Sequence, residues 1–178
     1  MTDAQGHTYE KPCLYGVSFT ARDDDGAAAS HRVPVSVQGE RTCVAPGRRL
    51  VRQYLTGDLT GLGKERLTCY LKTVRHASAV FSETVDVSTR EKAADTLFLA
   101  LLDPERAFDR QLLAAWLNFA NGSFGPGEKV DTDGDLKADT PFLEAVQHAE
   151  KVRLDPDTTR KELAAQAKIL TCVNVPLV

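Results

Sequence analysis

The stretch Phe108-Asp-Arg-Gln-Leu-Leu-Ala-Ala-Trp-Leu-Asn-Phe-Ala-Asn-Gly122 carries the strongest helical pattern of the 178-residue chain. Its apolar residues recur at i, i+4 and i+5, which places them on one face of a helix. These residues are Phe108, Leu112, Leu113, Trp116, Leu117 and Ala120. The pair Asn121-Gly122 tolerates left-handed backbone geometry, so we expect the helix to end there. The pattern predicts a core helix with Trp116 buried.

Helical periodicity begins at Ser88, and we therefore assign residues 88–178 to a helical region of about four helices. Four segments mark helix boundaries: Ser88-x-x-Glu91, Asp103-Pro104, Thr140-Pro141 and Thr159-x-x-Glu162. Asp103-Pro104 ends the first helix or starts the second. Thr140 is expected to cap the third helix, with Pro141 in its first turn.

The N-terminal half has strand character instead. Residues 1–12 are predicted to form a flexible tail and residues 13–87 a β-rich region. Four runs alternate apolar and polar positions: Cys13–Thr20, Arg32–Gln38, Arg66–Val74 and Val80–Val87. Pro34 indicates that its run is an edge strand. We predict an α+β fold in which an antiparallel sheet or small sandwich precedes the helices.

Residues 131–139, Asp-Thr-Asp-Gly-Asp-Leu-Lys-Ala-Asp, are the one segment whose spacing indicates a specific chemistry. Asp131, Asp133, Asp135 and Asp139 occupy positions 1, 3, 5 and 9 of a loop, and Lys137 offers a backbone carbonyl at position 7. Hard oxygen ligands at these positions wrap Ca²⁺ in calcium-binding loops. Crowded carboxylates repel one another, and a bound cation relieves that repulsion. We therefore predict a calcium site whose function is structural.

The loop departs from the EF-hand pattern, which has Gly at position 6 and Glu at position 12. This chain has Leu136 and Phe142 there, and Gly134 stands at position 4. The D-x-D-G-D-x-x-x-D form resembles the calcium loops of dockerins and of thrombospondin type 3 repeats. That resemblance implies that a more distant carboxylate completes the ligand shell. The candidates are Glu144, Glu150, Asp155 and Asp157.

The alternative interpretation of residues 131–139 is a solvated acidic turn without a metal ion. In that case Asp139 or Thr140 caps the following helix.

Composition and cysteine usage limit the cellular compartments and the kinds of partner that are expected. The net charge of −3 provides no basic field for nucleic acid, and no apolar run approaches the ~20 residues of a membrane span. Four cysteines, Cys13, Cys43, Cys69 and Cys172, fit two disulfides of undetermined connectivity in an exported protein. The alternative is four buried thiols in a cytosolic domain.

The N-terminus bears on the same choice. Residues 1–7 are polar and contain no apolar signal segment, so either a leader has been removed or the protein stays inside the cell. We favour a secreted or cell-surface protein.

The segment Leu112-Leu-Ala-Ala-Trp-Leu-Asn-Phe-Ala-Asn-Gly122 resembles the L-x-A-x-L-N-x-A-N-G helix end of many exported bacterial proteins. In that group a polar loop and a helical pair follow, often with a late cysteine, which Cys172 matches. The resemblance covers Ser88 to Asn174. It implies export and a helical fold, and it carries no activity.

Two classes of function remain open from the sequence. The first is a non-enzymatic, calcium- and disulfide-stabilised module that acts in binding or in a surface assembly, with a protein or cell-surface partner or as a homo-oligomer. The second is a small secreted hydrolase in which calcium is structural. No catalytic motif is present, and we assign no catalytic residue. His76 with Ser78 or Cys69 is the nearest nucleophile–base combination.

Overall fold

The computed structural model describes residues 6–40, 64–98 and 103–175. Within these ranges the protein has an α+β fold, as predicted, in which an antiparallel hairpin precedes six helices. The strands are β1 (Cys13–Arg22), β2 (Ala28–Val37), β3 (Lys129–Val130) and β4 (Thr140–Pro141). The helices are α1 (Lys64–Ala77), α2 (Ala79–Glu83), α3 (Arg90–Phe98), α4 (Pro104–Ala120), α5 (Phe142–Leu154) and α6 (Arg160–Val173).

Helix α4 is the centre of the fold, as its apolar stripe predicts. It contacts α1, α3, α5 and α6, and its residues from Leu112 to Ala120 are all buried. The indole of Trp116 meets the rings of Phe119 and Phe142 edge-on, with ring centroids 5.6 and 5.9 Å apart. Such T-shaped aromatic pairs are favourable beyond their buried area. The prediction of a core helix with a buried tryptophan is confirmed.

Two of the helix boundaries lie where the sequence places them. Asp103 caps α4, because its side chain accepts a hydrogen bond from the Glu105 backbone N–H and Pro104 follows in the first turn. Thr159 and Glu162 form a complete capping box at the start of α6. Each satisfies backbone N–H groups that the first helical turn leaves unpaired.

The other two boundaries differ from the prediction. Helix α3 is capped one residue later, by Thr89, whose Oγ1 accepts from the Lys92 backbone N–H at 3.3 Å. Thr140 does not cap α5, because it pairs with Val130 in the β3–β4 ribbon. Helix α5 instead begins at Phe142 without a side-chain cap. Thr140 therefore serves in strand pairing and does not serve as the helix cap.

Strands β1 and β2 form an antiparallel hairpin in continuous register from Cys13 opposite Val37 to Arg22 opposite Ala28. These are the first two predicted strands. The described residues contain no further strand in this sheet, so the predicted small sheet is present as a hairpin and the sandwich alternative is not seen. Residues 6–12 of the predicted tail precede the hairpin, and Tyr9 lies against the ring of Tyr15 at 4.5 Å.

The two remaining strand predictions, Arg66–Val74 and Val80–Val87, are wrong. The first run lies in α1 and the second begins in α2. In α1 the buried residues Leu67, Tyr70, Leu71 and Val74 follow helical spacing. In α2 the side chain of Ser78 caps the helix by accepting from the Phe81 backbone N–H. Burial of α1 against α4, and the cap and packing of α2 against α1 and α5, favour the helical conformation over the alternation that both runs also contain.

The hairpin is attached to the helices at its open end. A disulfide joins Cys13 of β1 to Cys69 of α1. Beyond β2, the Gln38 side-chain amide donates to the carbonyls of Phe119 and Phe124, at 2.6 and 2.8 Å. At this open end, β1 is therefore tied to α1 and the residue after β2 is tied to α4.

Glycines make the attachment after β2 sterically possible. The Gly39 backbone N–H donates to the Ala120 carbonyl at 2.9 Å, at the end of α4. A Cβ on Gly122, which has φ +86°, would lie 2.3 Å from the Gly39 carbonyl oxygen. The Asn-Gly pair that ends α4 thus also admits the chain that follows the hairpin.

Candidate metal centre

The acidic loop is held at both ends by the β3–β4 ribbon. Val130 pairs with Thr140, and the Asp139 backbone N–H donates to the Val130 carbonyl at 3.3 Å. The hydroxyls of Thr132 and Thr140 also share a hydrogen bond of 3.0 Å. Because the ends are pinned, the intervening residues form a closed loop whose carboxylates cannot separate freely.

Asp131 organises the interior of the loop. Its side chain is buried, Oδ1 accepts from the backbone N–H groups of Asp133 (3.0 Å) and Gly134 (2.7 Å), and Oδ2 accepts from Leu136 (2.9 Å). The Gly134 N–H, followed by those of Leu136 and Asp133, lowers the pKa of the Asp131 carboxyl. The carboxylate is therefore ionised at neutral pH and fixed in orientation.

The backbone adopts left-handed geometry twice in this loop, at Gly134 (φ +86°) and at Leu136 (φ +68°). Leu136 is 71% exposed and is the one non-glycine with positive φ in the described chain. It stands at position 6, where calcium loops of the EF-hand type place glycine for a sharp turn. The sharp turn is thus present although leucine replaces the usual glycine. The hydrogen bond from the Leu136 N–H to Asp131 Oδ2 stabilises it.

Asp133 and Asp135 are exposed at the loop surface. Asp133 Oδ1 accepts from the Asp135 backbone N–H at 3.1 Å. Asp135 Oδ1 accepts from the Lys137 backbone N–H at 2.8 Å, and its Oδ2 pairs with the Lys137 ammonium at 2.9 Å. Carboxylate oxygens of Asp131, Asp133 and Asp135 lie within 4.8 Å of one another, and this group could hold a metal ion.

The structure brings together three of the four predicted carboxylates. The side chain of Asp139 is not in the group and instead accepts from the Thr140 hydroxyl at 3.0 Å. Among the described residues, none of the four candidates for a distant ligand joins the group either. One of them, Glu150, is buried and accepts hydrogen bonds from Trp116 and Ala79.

The alternative of a capping acidic turn receives no support from the helix that follows. Helix α5 begins with Pro141 at its N-cap position and has no side-chain capping bond, from Asp139 or from Thr140.

Cys172 is a neighbour of the loop that the sequence did not indicate. A Cβ on Gly134 would lie 3.5 Å from the Cys172 Sγ, so the end of α6 packs against the loop. Cys172 is a free thiol, and Cys43, its expected partner in some pairings, lies outside the described residues. Burial raises the pKa of the thiol, and the charges of Asp131 and Asp133 raise it further. A protonated thiol is a poor nucleophile and a poor metal ligand.

The residues of the nearest nucleophile–base combination have structural roles. Cys69 is in the disulfide with Cys13, and Ser78 is buried as the cap of α2. His76 is exposed at the end of α1. The structure therefore does not assemble the two pairings that we considered for catalysis.

A second cluster of polar groups lies between α3 and α4. A surface pocket of about 230 Å³ is lined by Val85, Asp95, Thr96, Arg106 and Asp109. Desolvation raises the pKa of the Asp109 carboxyl, while Arg153 counteracts it. The Arg153 guanidinium donates to both Asp109 oxygens, at 2.8 and 3.2 Å, which ties α5 to α4. This ion pair is accounted for by helix packing.

The asparagines of the Asn-x-x-Asn-Gly segment also have structural partners. The buried Asn118 amide donates to Asn174 Oδ1 at 3.0 Å, and the Asn174 amide donates to the Leu170 and Gln111 carbonyls. Asn121 Oδ1 accepts from the Tyr70 hydroxyl at 3.0 Å. These bonds connect α4 with α6 and with α1, so both asparagines stabilise the fold.

The fold and the loop together define an α+β protein with a candidate metal centre. No protein-family model matches the chain, and neither curated proteins nor solved structures gave a significant match. The resemblances to exported bacterial modules and to dockerin-type loops therefore stay predictions. Within the described residues, no helix has the length and apolar character needed to cross a membrane.

Proposed function

We propose that this protein is an exported, non-enzymatic module that binds calcium through residues 131–139 and acts in binding or as part of a surface assembly. The observation that carries the proposal is the β1–β2 hairpin. Its strands are ten residues each, most of their side chains are exposed, and no other strand of the described chain covers them. An exposed, anchored strand pair offers a surface for another protein.

Calcium is the cation that suits the donor set of the loop. Asp131, Asp133 and Asp135 supply hard oxygens, and the proposed shell adds the Lys137 carbonyl and the Asp139 carboxylate. The three N–H groups on Asp131 use three of its roughly four acceptor sites, which leaves about one for an ion. A flexible shell of oxygens, partly exposed, suits Ca²⁺ better than Mg²⁺, which demands near-octahedral geometry.

The disulfide supports a location outside the cell. The Cys13–Cys69 bond persists in oxidising compartments and is rare where thiol reductants are abundant. Calcium sites of modest affinity are filled at the concentrations found outside cells. The disulfide and the proposed calcium site both favour a location outside the cell. In this proposal each stabilises the fold and neither takes part in a reaction.

Thermal unfolding tests the calcium site. Calcium at about 100 times its dissociation constant adds about 2.7 kcal/mol to the free energy of unfolding. For a chain of this size, that raises the Tm by roughly 5–10 °C. We expect the rise on adding calcium to chelated protein, measured by differential scanning calorimetry, and we expect it to vanish in the Asp133→Asn, Asp135→Asn double variant.

The matched control is the Asp24→Asn, Asp25→Asn double variant. It makes the same change of charge at exposed residues of the turn between β1 and β2, away from the acidic loop in sequence, and should keep the full calcium response. A Tm that calcium leaves unchanged in the unmodified chain would remove calcium from the proposal. An equal rise with Mg²⁺ alone would replace a calcium site by an unselective cation site.

A further inference from the structure

The hydrogen-bond pattern of the hairpin shows which backbone groups face outward. At the turn, the Asp23 N–H donates to the Ala27 carbonyl at 3.0 Å. Bonded and non-bonded pairs alternate along an antiparallel ladder, so the next pair, Arg22 with Ala28, is non-bonded. By the same alternation, the even-numbered residues of β1 direct their N–H and C=O groups away from β2. These residues are Leu14, Gly16, Ser18, Thr20 and Arg22.

The two outer edges of the hairpin differ. The outward position opposite Gly16 on β2 is Pro34, which has no N–H to donate. Proline is one of the residues by which proteins protect an edge strand from pairing. β1 contains no proline, and Arg22 at its end is its only charged residue. Among the described residues, neither edge has a strand partner, and only that of β1 lacks a proline. Helix α1 contacts β1, to which the Cys13–Cys69 disulfide joins it, and most residues of β1 from Gly16 to Arg22 are exposed.

We infer that the outer edge of β1 pairs antiparallel with β1 of a second copy of this chain. The result is a four-stranded sheet in the order β2–β1–β1–β2. The inference rests on the proposed assembly role and names its partner. One register uses all five outward-facing residues: Ser18 lies opposite Ser18 on the two-fold axis, Gly16 opposite Thr20, and Leu14 opposite Arg22. Two-fold dimers, in which the same surface of each copy meets its counterpart, are the commonest form of self-association.

This register also suits the side chains of the odd-numbered residues of β1, which share one face of the hairpin and are apolar or aromatic. Val17 of each copy lies opposite Phe19 of the other, and Tyr15 opposite Ala21. Aromatic and β-branched residues make favourable cross-strand pairs. Phe19 is 61% exposed in the single chain, which makes it one of the most exposed large apolar side chains described. Pairing through β1 gives this ring a neighbour.

Charges favour the antiparallel direction over the parallel one. Arg22 of each copy faces an uncharged leucine, so no like charges meet across the seam. The acidic turn Asp23–Asp25 of one copy lies at the end where Lys11 precedes the other copy's β1. A parallel arrangement would place the two acidic turns side by side. A nine-residue edge is small for an interface, so we expect a reversible dimer with a dissociation constant on the order of micromolar.

The molar mass of the full chain in solution tests the inference. Size-exclusion chromatography with light scattering, over a dilution series, should give a mass that approaches about twice 19.4 kDa at high concentration. Ser18→Glu and Ser18→Lys each place like charges opposite each other on the axis and should hold the mass at that of the monomer. Ser18 lies opposite Arg32 within its own hairpin, so the glutamate variant is the one that adds no like charge there. Ser30→Glu makes the same substitution at an outward position of β2 and should leave the dimer intact.

A rescue experiment separates repulsion from misfolding. Mixing the Ser18→Lys chain with a Ser18→Glu chain should restore the dimer mass, because opposite charges then face each other. A monomer at every concentration, or a Ser18→Lys chain that still dimerises, overturns the inference. So does a monomer that binds an added extended peptide, since the edge would then serve a different partner. The calcium response in calorimetry is measured on the same samples. If the chain is monomeric and still shows the calcium response, the proposed dimer is refuted and the proposed calcium site is not.

Discussion

Glu150 offers the sharpest test of how the helices are held together. The residue is 6% exposed; its Oε1 accepts from the Trp116 indole N–H at 2.9 Å, and its Oε2 accepts from the Ala79 backbone N–H at 3.3 Å. One side chain of α5 therefore satisfies a donor on α4 and another at the start of α2. Glu150→Ala would leave the buried Trp116 indole N–H and the part-buried Ala79 backbone N–H without this partner.

The expected cost follows from these two bonds. An unpaired buried donor costs about 1–3 kcal/mol, the part-buried Ala79 N–H costs less, and loss of the buried carboxylate's own desolvation penalty offsets part of the sum. We expect Glu150→Ala to lower the free energy of unfolding by roughly 2–4 kcal/mol. Glu150→Gln keeps an oxygen for Trp116 and loses the bond to Ala79, so its cost should be about half as large.

Urea unfolding, followed by far-ultraviolet circular dichroism and by the fluorescence of Trp116, the only tryptophan, measures these differences. Coincidence of the two signals shows that a single free energy applies. Glu144→Gln, an exposed position on the same helix, is the control and should be neutral within about 0.5 kcal/mol. If Glu150→Ala costs no more than Glu144→Gln, the carboxylate does not link the three helices and the reasoning is refuted.

Two further predictions concern the attachment of the hairpin. Gly122→Ala should destabilise the fold by more than about 2 kcal/mol in the same urea assay, because alanine is strained at φ +86° and its Cβ would meet the Gly39 carbonyl. Gly127→Ala, where a Cβ meets nothing within 4 Å, should cost far less, and equal costs would contradict the contact. Reduction of the Cys13–Cys69 bond, which closes a separation of 56 residues, should cost about 4 kcal/mol. Alkylation of the denatured, unreduced chain should modify only the other two cysteines; four modified cysteines would show that the bond does not form.

Local patterns in the sequence were sufficient for the elements whose burial and capping depend on near neighbours. The stripe from Phe108 to Ala120 predicted α4, because a helical face with that many apolar residues must be covered. The Asp103 cap and the Thr159 capping box were also readable, since both partners lie within three residues. The spacing of Asp131, Asp133 and Asp135 predicted their grouping for the same reason.

Longer-range contacts decided the rest. The runs Arg66–Val74 and Val80–Val87 contain both strand and helix periodicity. Packing of α1 against α4, and of α2 against α1 and α5, selects the helix, which no window of the sequence alone reveals. Glu150 appeared in the sequence as a candidate distant ligand, yet the fold places it beside Trp116, 34 residues away.

The acidic loop shows the same division. Alternating aspartates bring three carboxylates together through turns of a few residues, whereas the position of Asp139 is set by the β3–β4 pairing and that of Cys172 by the end of α6. The sequence by itself determined the central helix, the hairpin and the core of the acidic loop, because these depend on interactions between residues close in the chain. The identity of α1 and α2, the anchoring of the hairpin and the surroundings of the loop were decided by tertiary packing, because their stabilising partners are dozens of residues away.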